Sequence, residues 1–336
     1  MPITVNAFAA SEAGARLEPF QYEIAGPGPG EVIIKVTHCG VCHSDLSMLD
    51  DEWGMSAYPL VPGHEVSGFV EQLGEGVSNL KVGDRVGVGW HAGSCHECAQ
   101  CMSGDHNLCA EAQGTIVERH GGFADRVKAQ AAFAVRIPDG VDPVSAGPLF
   151  CGGITVFNPI VQFGVQPTDR VGVIGIGGLG HLAIAFLSAW GCEVTAFSSS
   201  PDKEDEARSM GAHHFLSSRD GDVLEAAAGT LDFIVSTVNV SLDWEGFLQC
   251  LKPKGRLHVV GAVLEPMPVG AFPLIMAQRS ISGSPVGSPA TIATMLDFCA
   301  RHAITPQTEV FGMSDVNAAL DHVRAGKARY RVVLEV

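Results

Sequence analysis

The segment that most narrows the fold is residues 168–200, TDRVGVIGIGGLGHLAIAFLSAWGCEVTAFSSS. Val171, Val173 and Ile174 form a short apolar run of the kind found in strands covered on both faces. Leu179, Leu182, Ala183, Phe186, Leu187 and Trp190 recur at helical spacing, and Gly191 stands where a helix stops. Between them, Gly175-Ile176-Gly177-Gly178-Leu179-Gly180 fits G-x-G-x-x-G. Alone that pattern is weak. After a strand and at the start of a helix it reads as a dinucleotide-binding turn, whose glycines let a pyrophosphate approach free N–H groups at the helix N-terminus. The competing reading is a plain strand–helix turn.

The alternation continues. SPDKEDEARSMGA reads as a helix with Ser200 at N-cap, Pro201 at N1, acids in the first turn and Gly211 beyond the end. LDFIVSTV and GRLHVVGAV read as strands, so residues 152–287 form a doubly wound α/β domain. Residues 1–151 have a different texture. EVIIKVTHCG and EVSGFVEQLG are short branched-apolar runs among Gly and Pro turns, the pattern of a β-rich barrel or rolled sheet. In 288–336, Val316, Ala319, Leu320 and Val323 share a helix face ahead of a strand, YRVVLEV, a tail suited to returning to the first domain.

The 336 residues are 46% hydrophobic, which suffices for two cores. Lys plus Arg number 21 against 37 Asp plus Glu, a net charge of −16 that repels phosphodiester backbones, so no nucleic-acid partner is expected. The first residues show no basic, apolar export signal, and no apolar run is long enough for a membrane span. A cytoplasmic protein with reduced thiols is expected, and clustered cysteines in that setting point to metal.

Cys95, Cys98, Cys101 and Cys109 lie within one short loop, a spacing that lets four thiolates meet on one tetrahedral zinc. A ferredoxin-type cluster would place the fourth cysteine after three residues and before Pro, whereas Cys109 precedes Ala110. His96 and His106 in the same loop read as solvent-exposed side chains. A second, dispersed set is Cys42, His64 in PGHEV and Cys151 in PLFCGGITV. Two thiolates and one imidazole are the ligand set of a catalytic zinc with an open fourth position. Cys39-Gly-Val-Cys42-His43 also fits a c-type haem site or a dithiol pair, and the residues alone leave these open. After the second Rossmann strand an acid normally binds the ribose 2′-hydroxyl of NAD. Here Ser198, Ser199 and Ser200 stand in that place, with Lys203 nearby, which favours NADP(H).

The segments GVCHSDL, EWGMSAYPLVPGHE, VGDRVGVG, the four-cysteine loop, PLFCGGITV, GIGGLGH, FSSSPDK and YRVVLEV together resemble the zinc-dependent medium-chain alcohol dehydrogenases, most closely their cinnamyl alcohol dehydrogenase-type branch. The resemblance implies a GroES-like catalytic domain with an inserted nucleotide-binding domain. It implies catalytic zinc on Cys42, His64 and Cys151, with Glu65 able to enter the zinc sphere and Asp45 orienting the imidazole. It implies that Cys39 is not a ligand. Ser44 matches the hydroxyl that hydrogen-bonds the substrate alcohol, His43 a residue near the cofactor phosphates, and Thr155 a residue beside the nicotinamide. Ser47 departs from the family, many members of which place a proton-relaying histidine there. The implied function is interconversion of primary alcohols and aldehydes, aromatic or medium-chain, with two zinc ions per chain and a homodimeric or tetrameric assembly. Trp53 and Trp90 are candidates for the substrate wall. A zinc- and NADPH-binding sensor without turnover and an NAD-linked polyol dehydrogenase are the alternatives.

Overall fold

The structure is a computed structural model that describes residues 2–218 and 222–336. Its contacts divide the chain into two units, one built from residues up to Ile154 together with Val286–Val336, the other Thr155–Pro285.

In the first unit, a seven-stranded sheet runs in the order Thr308–Gly312, Arg331–Glu335, Glu31–Val41, Glu65–Leu73, Arg85–Val88, Val135–Arg136, with Arg126–Gln130 also paired to Glu31–Val41. The eleven-residue strand Glu31–Val41 is the organiser. Its first half pairs with Arg126–Gln130 and its second half with the C-terminal strand, both antiparallel. Two register shifts against Glu65–Leu73, at Ile33/Ile34 and Val36/His38, bend it so that the sheet rolls. At Gly68 a Cβ would stand 2.1 Å from the Lys35 carbonyl oxygen, so only glycine lets the strands approach this closely. Val32, Ile34, Val36, Leu46, Met48, Phe123, Val332 and Leu334 are buried in one core cluster, which therefore includes the C-terminal tail.

The second unit holds a six-stranded, all-parallel sheet. Numbered within this unit, its strands lie 3-2-1-4-5-6, the order of a doubly wound dinucleotide-binding fold. Arg170–Ile174 is the first of them, and strand order reverses between it and Leu231–Ser236. The helix Gly180–Trp190 follows the glycine turn and stops at Gly191 with φ 110°, as its sequence predicts. It is buried on more sides than one stripe, since His181 and Ile184 are covered as well.

One detail differs from the sequence reading. Ser200 does not cap a helix with its side chain. Pro201–Lys203 is a tight 3₁₀ turn, and the α-helix begins only at Glu204. The Ser200 N–H instead donates to Ser198 Oγ at 3.1 Å, a local turn that takes the place of the cap.

Candidate functional site

Cys42 ends the Glu31–Val41 strand and opens the helix His43–Leu49. Its backbone N–H donates to Asp45 Oδ2 at 2.9 Å. Asp45 Oδ1 accepts from the Gly63 N–H and from His64 Nδ1, both at 2.9 Å. One fully buried carboxylate therefore ties the turn carrying Cys42 to the loop carrying His64. It also fixes the imidazole tautomer, since a proton on Nδ1 leaves the Nε2 lone pair free to ligate.

That Nε2 lies 3.2 Å from Cys151 Sγ, which is 3.9 Å from Cys42 Sγ. Cys151 follows the 3₁₀ turn Gly147–Phe150, and Gly147 makes its approach possible, because a Cβ there would meet the Glu65 carbonyl oxygen at 2.5 Å. Glu65 Oε1 accepts from the Arg331 guanidinium, while its Oε2 is buried with no hydrogen-bond partner. The donor atoms of Cys42, His64, Glu65 and Cys151 all lie within 4.8 Å of one another. Tetrahedral zinc with Zn–S near 2.3 Å holds its sulfurs about 3.8 Å apart, so the spacing of this set and its orphaned carboxylate oxygen both fit that ion.

The electrostatics say the same. The hydrogen bond from Cys151 and the charge of Arg331 hold the Cys42 thiol well below its usual range, against burial. The Cys42 sulfur and burial push Cys151 well up. Burial opposes charge on His64, but the Asp45 carboxylate outweighs it and raises the imidazole. Burial lifts Glu65 to about 7 even with Arg331 beside it. A cation among these groups would relieve the competition for protons.

Ser44, partly exposed, has its hydroxyl 3.8 Å from Cys42 Sγ, and His43 is exposed beside it. Trp90 packs edge-on against the His64 ring at 5.1 Å, and Trp53 packs on Trp90 at 5.9 Å. Ser47 is buried and donates to Glu52 Oε2 at 2.7 Å. Cys39 is fully buried and outside the donor set. Its sulfur is so closely packed that a Cβ at Gly63 would come within 2.9 Å of it, which leaves no room for a haem thioether.

The loop cysteines Cys95, Cys98, Cys101 and Cys109 form the second group within 4.8 Å. Cys95 Sγ lies 3.9 Å from Cys101 Sγ and 3.5 Å from Cys109 Sγ, again a tetrahedral spacing. Backbone N–H groups of Cys98 and Glu111 point at the sulfurs of Cys95 and Cys109, both at 3.4 Å, and would steady thiolates there. His96 and His106 turn to Gln130 Oε1 and the Gly104 carbonyl and stay outside the group. None of the ten cysteines is in a disulfide.

In the second unit, Gly175 has φ 89°, and a Cβ on Gly180 would stand 1.8 Å from the Gly175 carbonyl oxygen. A Cβ on Gly177 would meet nothing within 4 Å. The turn thus keeps open space where a pyrophosphate needs it. Gly178 and Leu179 complete the turn, and Leu179 is the N-cap of the following helix. Ser198 is buried at the strand end, Ser199 is exposed, and Lys203 Nζ donates to the Ile176 carbonyl at 2.6 Å. A cation therefore reaches back to the glycine turn from the stretch where an NAD-binding acid would stand. Thr155 is buried in the helix Gly152–Gln162.

The sequence reading missed Arg331. The available signal was a lone cation inside the apolar run of YRVVLEV: a charge at an inward strand position needs a buried partner, here Glu65.

Residues 28–139 match the alcohol dehydrogenase GroES-like domain, and residues 178–301 match the zinc-binding dehydrogenase domain. The chain is 57% identical over 330 residues to an aldehyde reductase, AdhA, of Synechocystis, covering 98% of each. A cinnamyl alcohol dehydrogenase structure from Sorghum bicolor superposes with a TM-score of 0.95 at 39% identity, over 99% of this chain and 98% of that one. A Helicobacter pylori CAD structure complexed with NADP(H) superposes with a TM-score of 0.92 at 30% identity, over 100% and 99%. A rolled β unit with two sulfur-rich donor groups, a 3-2-1-4-5-6 parallel unit and these likenesses lead to one assignment: the chain belongs to the zinc-dependent medium-chain alcohol dehydrogenase family, in its cinnamyl alcohol dehydrogenase-type branch.

Proposed function

We propose that this member of the family reduces aromatic or medium-chain aldehydes to primary alcohols, and runs the reverse reaction, with NADP(H) as the hydride carrier. The observation that carries the reading is the Cys42–His64–Cys151 donor set held by Asp45. Those three side chains would hold the catalytic zinc, with Glu65 as an additional donor, and Cys95, Cys98, Cys101 and Cys109 would hold a structural one. Bound there, zinc supplies Lewis acidity toward a carbonyl or hydroxyl oxygen.

The chain's own residues do the rest. Ser44 Oγ hydrogen-bonds the substrate oxygen and carries its proton, and the exposed His43 imidazole passes that proton to solvent. Ser47 does not take this part, because its hydroxyl is committed to Glu52. Trp90 and Trp53 form an apolar wall against the ligating imidazole, which suits aromatic or extended apolar aldehydes over small polar ones. The Gly175–Gly180 turn receives the pyrophosphate, and Ser199, Ser200 and Lys203 receive a 2′-phosphate. An NADP(H) complex of a 30% identical structure and an aldehyde reductase at 57% identity support the cofactor and the direction. A homodimer in the cytoplasm, where the thiols stay reduced, completes the proposal. Among the described residues no helix is long and apolar enough to cross a membrane.

The test is zinc content per chain together with NADPH and NADH rates on benzaldehyde, cinnamaldehyde and hexanal. Two zinc ions and a preference for NADPH are expected. Equal rates with both cofactors, or full activity in Cys42→Ser, would overturn the assignment.

A further inference from the structure

We propose that the first unit carries a binding site for a small organic oxyanion, a carboxylate or phosphate group, in the open cleft built around Arg119. The cleft has a volume of about 370 Å³ and lies between the strands Glu18–Ile24 and Arg126–Gln130. Tyr22, Glu23, Arg119, His120, Arg126 and Lys128 line it. It shares no residue with either sulfur group. In a chain of net charge −16, three cations and an imidazole on one cleft run against composition.

Most of these charges are already answered. Arg126 grips both Glu71 oxygens, at 2.8 and 3.0 Å, and touches Asp125. Lys128 pairs with Glu31 at 3.1 Å. Arg119 differs. Its guanidinium donates to Gln113 Oε1 at 3.0 Å and to the Lys128 carbonyl at 2.6 Å, both neutral acceptors. Among the described residues no carboxylate forms an ion pair with it. Those two bonds fix the guanidinium plane and leave its other N–H donors unspent. Burial lowers its pKa even though the Glu31 carboxylate pulls the other way, so a half-buried cation held on neutral acceptors gains from a further anion.

Two neighbours bring polar groups of their own. His120 Nδ1 is buried without a hydrogen-bond partner. Tyr22 packs edge-on against the His120 ring at 4.4 Å. Burial, reinforced by Asp125, pushes the Tyr22 phenol well up, so it remains an O–H donor. A guanidinium, an imidazole and a phenol together match a compact group with several acceptor oxygens. The cleft exceeds a bare ion and falls in the range of small-ligand pockets, about 300–1,000 Å³, so the oxyanion is the head of a small organic molecule. Glu23, an exposed carboxylate in the same lining, and the overall negative charge disfavour polyanions.

The test is calorimetric titration of the zinc-loaded full chain at low ionic strength with inorganic phosphate and, separately, acetate. Phosphate also suits the glycine turn of the second unit, so Lys203→Gln serves to weaken that contribution. Arg119→Gln should weaken binding about tenfold or more while Lys203→Gln keeps the site. Phosphate binding without acetate would assign the head group as phosphate, and the converse as carboxylate. Arg119 also braces the Lys128 carbonyl, so Tyr22→Phe and His120→Gln provide variants that leave that brace in place, each expected to weaken binding about threefold. An unchanged isotherm in Arg119→Gln, unchanged affinity in both other variants, or no saturable site for either anion in Lys203→Gln would overturn the proposal.

Discussion

The Glu65–Arg331 pair shows how single side chains constrain the zinc-binding region. Both are buried, one Glu65 oxygen and Arg331 Nε have no partner, and a Cβ on Gly40 would stand 1.9 Å from Glu65 Oε2, so a side chain there would displace the carboxylate. Removing one member of a buried ion pair leaves a naked charge and typically costs about 3–5 kcal/mol, whereas apolar replacement of both can be neutral. Arg331→Met should therefore lower the urea midpoint markedly, and Glu65→Met with Arg331→Met should recover most of it. At the ligands the expected effect is on metal rather than fold. His64→Gln should take zinc from two ions per chain to one, abolish turnover and leave NADPH binding intact, which metal analysis and cofactor fluorescence would check.

At the level of elements, the glycine turn separates folding from binding within a few residues. Gly180→Ala drives a methyl into the Gly175 carbonyl and should destabilise by about 1–3 kcal/mol. Gly177→Ala meets no protein atom, so stability should hold within about 0.5 kcal/mol while the NADPH Kd rises about tenfold or more. Denaturation and cofactor titration on the two variants would test this contrast. The sheet carries its own pH dependence. His258 hydrogen-bonds Ser282 on the neighbouring strand and Ser284 just beyond its end, and burial, with Arg256, depresses its pKa to about 4. The unfolded chain takes up that proton near 6.5, so this contribution is complete above that pH and is lost as pH falls toward 4. His258→Gln should flatten the stability profile across that window. The elements themselves were largely readable, because period-2 and period-3.6 patterns and the stops at Gly191 and Gly211 are local. The convergence of Cys42, His64, Glu65 and Cys151 was not readable from spacing. It depends on a rolled sheet; donor types alone suggest Cys42, His64 and Cys151 as a set, and the family resemblance singles that set out and adds Glu65. Ser200 does stand at the N-cap position ahead of Pro201, but its hydroxyl makes no cap bond, and its N–H bonds Ser198 Oγ two residues before it. Arg331 was passed over because its partner is 266 positions away.

Across the whole molecule, the two sulfur groups are built differently. The loop group is braced largely by its own thiols and adjacent N–H groups, so stripping its metal should loosen the lobe and expose it to proteolysis. The other group draws its geometry from Asp45, which is hydrogen-bonded to Cys42, Gly63 and His64. Asp45→Asn should lower zinc affinity about 10–100-fold through the lost imidazole orientation, measurable by competition with a chelator. Because those bonds are made to protein atoms, the same carboxylate should act as a jig that survives demetallation. After chelation, re-addition of zinc should restore the reactive centre quickly and without refolding, while the cysteine lobe lags behind.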